Sequence, residues 1–132
     1  MAAGFRWVDG KATSLDDTWE WDGTTWRLIE IPGPGARDHV SMTYDASRGQ
    51  VVLHGGGRPE SGLVGDTWTY DGVRWTRLAN SGPPRARHRL MYSTNQSATI
   101  LYGGWGDDGK RHSDVLVLRD TTWRPVTPPG RR

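Results

Sequence analysis

Asp66-Thr67-Trp68-Thr69-Tyr70-Asp71-Gly72-Val73-Arg74-Trp75 reads as one β-hairpin. Trp68 and Tyr70 alternate with Thr67, Thr69 and Asp71, the period of two that sends successive side chains to opposite faces of a strand. Asp-Gly then supplies the positive φ angles of a tight turn. The stretch recurs. Asp17-Thr18-Trp19-Glu20-Trp21-Asp22-Gly23-Thr24-Thr25-Trp26 matches it closely. A third copy, from Asp114 to Trp123, keeps Leu116 and Leu118 at the aromatic positions but has Arg119-Asp120 where Asp-Gly stood, which predicts a less tightly specified turn. Trp26, Trp75 and Trp123 lie 49 and 48 positions apart, and Asp17, Asp66 and Asp114 show the same two intervals. A period near ~50 with glycine and aromatic landmarks marks a propeller or solenoid array.

Outward from the hairpin, Val51-Val52-Leu53-His54 is a short apolar run ending in Gly55-Gly56, as Thr99-Ile100-Leu101-Tyr102 ends in Gly103-Gly104. Such runs predict strands buried on both faces, between neighbouring sheets. His39 to Tyr44 and His88 to Tyr92 predict a further strand each, entered from the proline-rich stretches Pro32 to Pro34 and Pro83-Pro84. Four strands per unit result. Ala36-Arg37 returns as Ala86-Arg87, each with a histidine close behind.

The 132 residues hold 18 Gly, 8 Pro and 8 Trp against one Phe, so large aromatics must supply much of the buried area. Each buried Trp removes on the order of 200 Å² from water, a gross gain of roughly 5 kcal/mol before entropy is subtracted. Net charge is +2 with the signs interspersed, unlike the concentrated basic face of a nucleic-acid binder. The absence of cysteine excludes disulfides, thiolate metal sites and thiol nucleophiles. No signal peptide and no ~18-residue apolar span is present, so the sequence as written predicts no membrane partner and a cytoplasmic location.

These residues together resemble the kelch repeat, in the form with Asp-Thr-Trp-x-Trp/Tyr-Asp-Gly-x-x-Trp hairpins. The resemblance runs from about Gly4 to Pro128 and implies an all-β fold of four-stranded antiparallel propeller blades around a channel. The expected division is a half blade at about 4–31, complete blades at about 37–80 and 86–128, and a tail at 129–132. Gly4-Phe5-Arg6-Trp7-Val8-Asp9-Gly10-Lys11 looks like the loop from Gly104 to Lys110, so the first unit is expected to hold only its third and fourth strands.

About two and a half blades cannot close a ring, because propellers need roughly four to eight. The expectation is therefore a single incomplete unit completed by its own copies. The simplest form is a two-fold pair with four complete blades and the two hairpins merged into a shared sheet. A trimer with six complete blades and a fragment or engineered piece of a longer propeller are the rivals.

A residue that recurs in each unit serves the fold, while one present in a single unit is free to serve a ligand. Arg37 and Arg87, His39 and His88, the Asp17/Asp66/Asp114 series, the Gly-Gly pairs and the recurring tryptophans fall in the first class. His39, His54, His88 and His112 show no metal-ligand spacing, and no nucleophile elbow or facing pair of carboxylates stands out, so no catalytic residue, metal or cofactor is expected. The copper chemistry of some kelch-fold oxidases rests on a Tyr-Cys crosslink, impossible here without cysteine. In an up-down blade the loops 57–65, 105–113, 30–38 and 79–87 emerge on one face. Arg58, Glu60, Trp105, Asp107, Asp108, Lys110, Arg111 and His112 there differ between units, and with Arg37 and Arg87 they are the candidate ligand-binding face. An exposed aromatic among mixed charges suits a protein or peptide, the reading the kelch resemblance also implies. A carbohydrate-binding or carbohydrate-modifying propeller with Trp105 as stacking platform, and a structural fragment with no ligand, are the alternatives.

Overall fold

The alternating stretches become strands where the period of two places them. The computed structural model describes residues 4–8, 11–15, 17–58 and 62–126, and they form an all-β structure with no helix and only antiparallel pairings. Strands β1 (Gly4–Val8) and β2 (Lys11–Leu15) make a ribbon, and β3 (Thr18–Trp21) and β4 (Trp26–Ile29) a hairpin. Next come β5 (Ser41–Asp45), β6 (Gln50–His54), the short β7 (Gly57–Arg58) and β8 (Gly62–Leu63), β9 (Thr67–Tyr70) and β10 (Trp75–Arg77). The chain ends its described part with β11 (Arg85–Ala86), β12 (Arg89–Ser93), β13 (Ala98–Gly106), β14 (Arg111–Arg119) and β15 (Thr122–Pro125).

The second sheet runs β5-β6-β9-β10, and the third β12-β13-β14-β15, with β11 also on β13. The first unit has only β3 and β4 in its sheet. One expectation is corrected here. The stretches 4–11, 57–65 and 105–113, read as loops, contribute paired strands: Trp7 pairs with Ala12, Arg58 with Gly62 and Trp105 with Arg111. The likeness between 4–11 and 104–110 thus survives, but as paired backbone.

The turns show why Asp-Gly recurs. Gly23 and Gly72 take φ of 100° and 97°, whereas Asp22 and Asp71 act through their side chains. Asp22 Oδ1 accepts from the backbone N–H of Thr24 and Thr25, and Asp71 Oδ1 from those of Val73 and Arg74, all at 2.8 Å. This is the Asx device that lets a carboxylate stand in for a backbone carbonyl. The third hairpin instead closes through Asp120 and Thr121 alone, with Asp120 at φ 55°, a shorter turn than its lack of glycine predicted.

The core lies between the sheets. Val52 points from the second sheet onto Leu90, Leu101, Leu116, Leu118 and Trp123 of the third. Its neighbour Leu53 points the other way, with Tyr70 and Trp75, toward Ile31. Each junction is pinned by an indole: Trp75 Nε1 donates to Thr18 Oγ1 at 3.0 Å, and Trp123 Nε1 to Thr67 Oγ1 at 2.9 Å. Gly82 sits beneath the second of these, where an added Cβ would lie 2.4 Å from Trp123 Cδ1 and 2.8 Å from His54 Cε1. Gly82→Ala is therefore expected to destabilise the fold by about 1–3 kcal/mol through overpacking, read as a lower midpoint in urea unfolding.

Candidate functional site

Asp17 and Asp66 stand directly before β3 and β9, and Asp114 holds the matching place within the longer β14. A carboxylate in that position is half withdrawn from water and needs donors. Asp66 has them: Arg37 grips it through Nη1–Oδ1 at 2.9 Å and Nη2–Oδ2 at 3.0 Å, and Trp68 Nε1 adds 2.7 Å. Arg37 also donates to the carbonyls of Gly55 and Pro34, with its side chain wholly buried. Burial pushes the Asp66 carboxyl up, but the Arg37 bonds and charge outweigh it and hold it at about 2. Asp114 is gripped the same way by Arg85, both bonds at 2.8 Å, with Arg85 Nη1 on the Gly103 carbonyl.

The counterpart of Arg37 is thus Arg85. The repeated dipeptide Ala-Arg pointed to Arg87 and is corrected: both true partners stand 29 residues before their aspartate. Arg87 corresponds instead to His39, and the two share a left-handed backbone, φ 57° and 52°. His39 and His88 are consequently not equivalent.

Asp17 differs. Its Oδ2 accepts from Trp19 Nε1 at 2.8 Å, as Asp66 accepts from Trp68, but its Oδ1 is buried with no partner among the described residues.

The candidate loop face divides. Arg87, Trp105, Arg111 and His112 line one shallow groove of about 340 Å³ with Tyr102. Trp105 is 40% exposed, and the Arg111 guanidinium carbon stands 5.3 Å from its ring centroid, a cation–π contact that occupies one ring face. Asp108 Oδ1 holds the ribbon tip through the Lys110 N–H at 2.9 Å and His112 Nε2 at 3.3 Å, leaving Asp107 and Lys110 exposed. Arg58 belongs to the second unit, donating to the Pro34 carbonyl at 2.6 Å, and Arg37 is buried structure. Glu60 lies outside the described residues. Among the described residues no group of three or more His, Asp or Glu could hold a metal ion.

A second surface was not singled out from the sequence. Trp75 and Trp123 are 9% and 8% exposed, yet Trp26 at the same register is 56% exposed. Tyr70 and Leu118 are buried at 4% and 1%, while Trp21 is 53% exposed. Leu28 completes this open flank, with the Trp21 and Trp26 rings 5.5 Å apart. At the far end, Met91 and Tyr102 are exposed on the side of the third sheet that turns away from the second. Beside β3, a groove of about 450 Å³ runs between its unpaired edge and Tyr44, Val51 and Tyr70 of the second sheet. Tyr70, which lines that groove, donates to Glu20 Oε2. Burial and this carboxylate raise the phenol to about 12. No protein-family description matches the chain, and no curated protein matches it either.

Proposed function

We propose that the chain is a non-catalytic interaction module of kelch type: a half blade and two complete blades of a propeller that copies of the chain complete. One observation carries this reading. The face that bears Trp75 in the second sheet and Trp123 in the third is buried against the preceding unit, and the same face bearing Trp26 is open. An apolar patch of two tryptophans and a leucine is costly in water and marks a contact surface. The complementary end is the outer side of the third sheet, where Met91, Ile100, Tyr102 and Val117 share a face by register. Where Thr18 and Thr67 accept an indole N–H, the third unit has Val115, so this junction is closed by apolar contact. A pair of copies makes the contact twice, and a trimer three times. In such an assembly the groove of Arg87, Trp105, Arg111 and His112 stays on the loop face, suited to a peptide or protein with a carboxylate and an apolar side chain.

Light scattering on the purified chain at micromolar concentration tests this. The native chain is expected at twice or three times its single-chain mass, and Trp26→Glu as a folded monomer with unchanged circular dichroism. A native chain that stays monomeric and folded contradicts the reading.

A further inference from the structure

Four-stranded order in the second and third sheets gives a template for what β3 lacks. There β9 pairs with β6, and β14 with β13. Gly55-Gly56 follow β6 directly and Gly103-Gly104 interrupt β13 at a bulge, and an arginine from the segment before the unit's first strand bridges the first glycine carbonyl and the aspartate. Beside β3, among the described residues, stand an unpaired strand edge, a groove over Tyr44 and Val51 and, at the start of the strand, Asp17, whose buried Oδ1 has no donor. Tyr44 is 57% exposed for want of a neighbour on that side.

We propose that this groove binds an arginine-led β-hairpin ending in Gly-Gly, supplied by another polypeptide, which adds two strands to β3 and closes its guanidinium on Asp17. The inference rests on reading the first hairpin as a half blade, but not on which molecule covers Trp26. Backbone pairing along β3 provides the affinity of strand addition. Selectivity comes from the guanidinium, whose two parallel N–H donors fit a carboxylate where a lysine offers a single point charge. The ligand is defined by chemistry: arginine, a first strand, a turn, then an apolar strand whose terminal glycine carbonyl completes the arginine's contacts.

The probe is a synthetic peptide with the sequence of residues 36–56 of this chain, fluorescently labelled and titrated by anisotropy. It is offered to the native chain, to Asp17→Asn, and to Trp26→Glu, in which association of copies cannot mask the groove. Asp17→Asn keeps an oxygen for Trp19 Nε1, so folding is retained. Saturable binding is expected to native or Trp26→Glu chain, weakened roughly tenfold or more by Asp17→Asn or by the peptide change Arg37→Ala. The two changes together are expected to add little, as for partners in one contact. Absence of saturable binding in both backgrounds, or equal binding to Asp17→Asn, overturns the proposal. Chain mass is read separately, so a monomer that takes the peptide refutes self-association alone, and an assembling chain that refuses it in both backgrounds refutes the hairpin site alone.

Discussion

Asp66→Ala is expected to remove about 3–5 kcal/mol of folding stability, a large part of the roughly 5–15 kcal/mol that holds a domain of this kind together. The Arg37 side chain is wholly buried and places two of its contacts on this carboxylate. Truncation leaves a guanidinium enclosed with only the Gly55 and Pro34 carbonyls, and strips the Trp68 N–H of its acceptor. An isolated buried charge is far costlier than a buried pair, so the loss exceeds what two hydrogen bonds would suggest. The three aspartates at one register make the prediction sharper. Asp114 is gripped by Arg85 in the same two-pronged way, both bonds at 2.8 Å, but its side chain is 44% exposed, and water can replace the lost partner. Among the described residues no arginine holds Asp17. Urea unfolding should therefore rank the alanine variants Asp66, then Asp114, then Asp17, the last close to the native chain. A loss for Asp17→Ala equal to that for Asp66→Ala would show that the ion pair is not what these positions supply.

The same ranking shows what could be read from residues alone. Strands β5, β6, β9, β12 and the hairpins were legible because alternation, apolar runs and Gly-Gly are local signals that need no partner to interpret. Spacing also located the aspartates. Arg85 is hidden because the dipeptide Ala-Arg repeats at Arg87, while distance from the aspartate is the true signal: counting 29 residues back from Asp114 reaches Arg85. The β1–β2 ribbon and the outer ends of β13 and β14 read as loops because glycine and charge there mimic turn composition, while backbone pairing alone defines them. Asp45 gave no signal, yet it is fully buried, capping its own turn through Ser47 and accepting from Thr99 Oγ1 of the third sheet at 2.8 Å. The open flank of Trp21 and Trp26 is not legible for a related reason: recurrence marks Trp26 as a packing residue, while its exposure depends on the surroundings of the sheet and not on its own residues.

Acid should unfold this protein well above the carboxylate range, because two histidines from different sheets are buried as neutral rings at one junction. His54 is fully buried, with Nε2 2.8 Å from the Pro83 carbonyl and Nδ1 2.7 Å from Thr67 Oγ1. A carbonyl only accepts, so Nε2 carries the proton and Nδ1 accepts from the Thr67 hydroxyl, which in turn accepts from Trp123. His88 Nε2 donates to the His54 carbonyl at 2.8 Å, and its Nδ1 is buried without a partner among the described residues. A second proton would place a buried charge 5.6 Å from the other ring, on His54 against a hydroxyl that already accepts from Trp123 and on His88 at a nitrogen with no acceptor among the described residues. The bond to Pro83 and the Asp66 charge favour the proton on His54 and Arg37 and Arg85 oppose it, each a smaller effect than burial. Desolvation thus lowers both histidines from 6.5 to about 4, the neighbouring ring adding to the effect on His88. The unfolded chain binds these protons below about pH 6.5 and the folded chain only near 4, so stability present above pH 6.5 falls across that window. With both sites titrating, the slope approaches about 3 kcal/mol per pH unit near its steepest point. Asp66, held at about 2, adds its own loss only as pH falls below 3.8. Urea midpoints at pH 7.5, 5.5 and 4.5 should therefore drop steeply between the last two, and His88→Gln, which can still donate to the His54 carbonyl, should roughly halve the slope. Midpoints that coincide at pH 7.5 and 4.5 would mean the junction of the second and third sheets admits water, and with it the protons that these distances exclude.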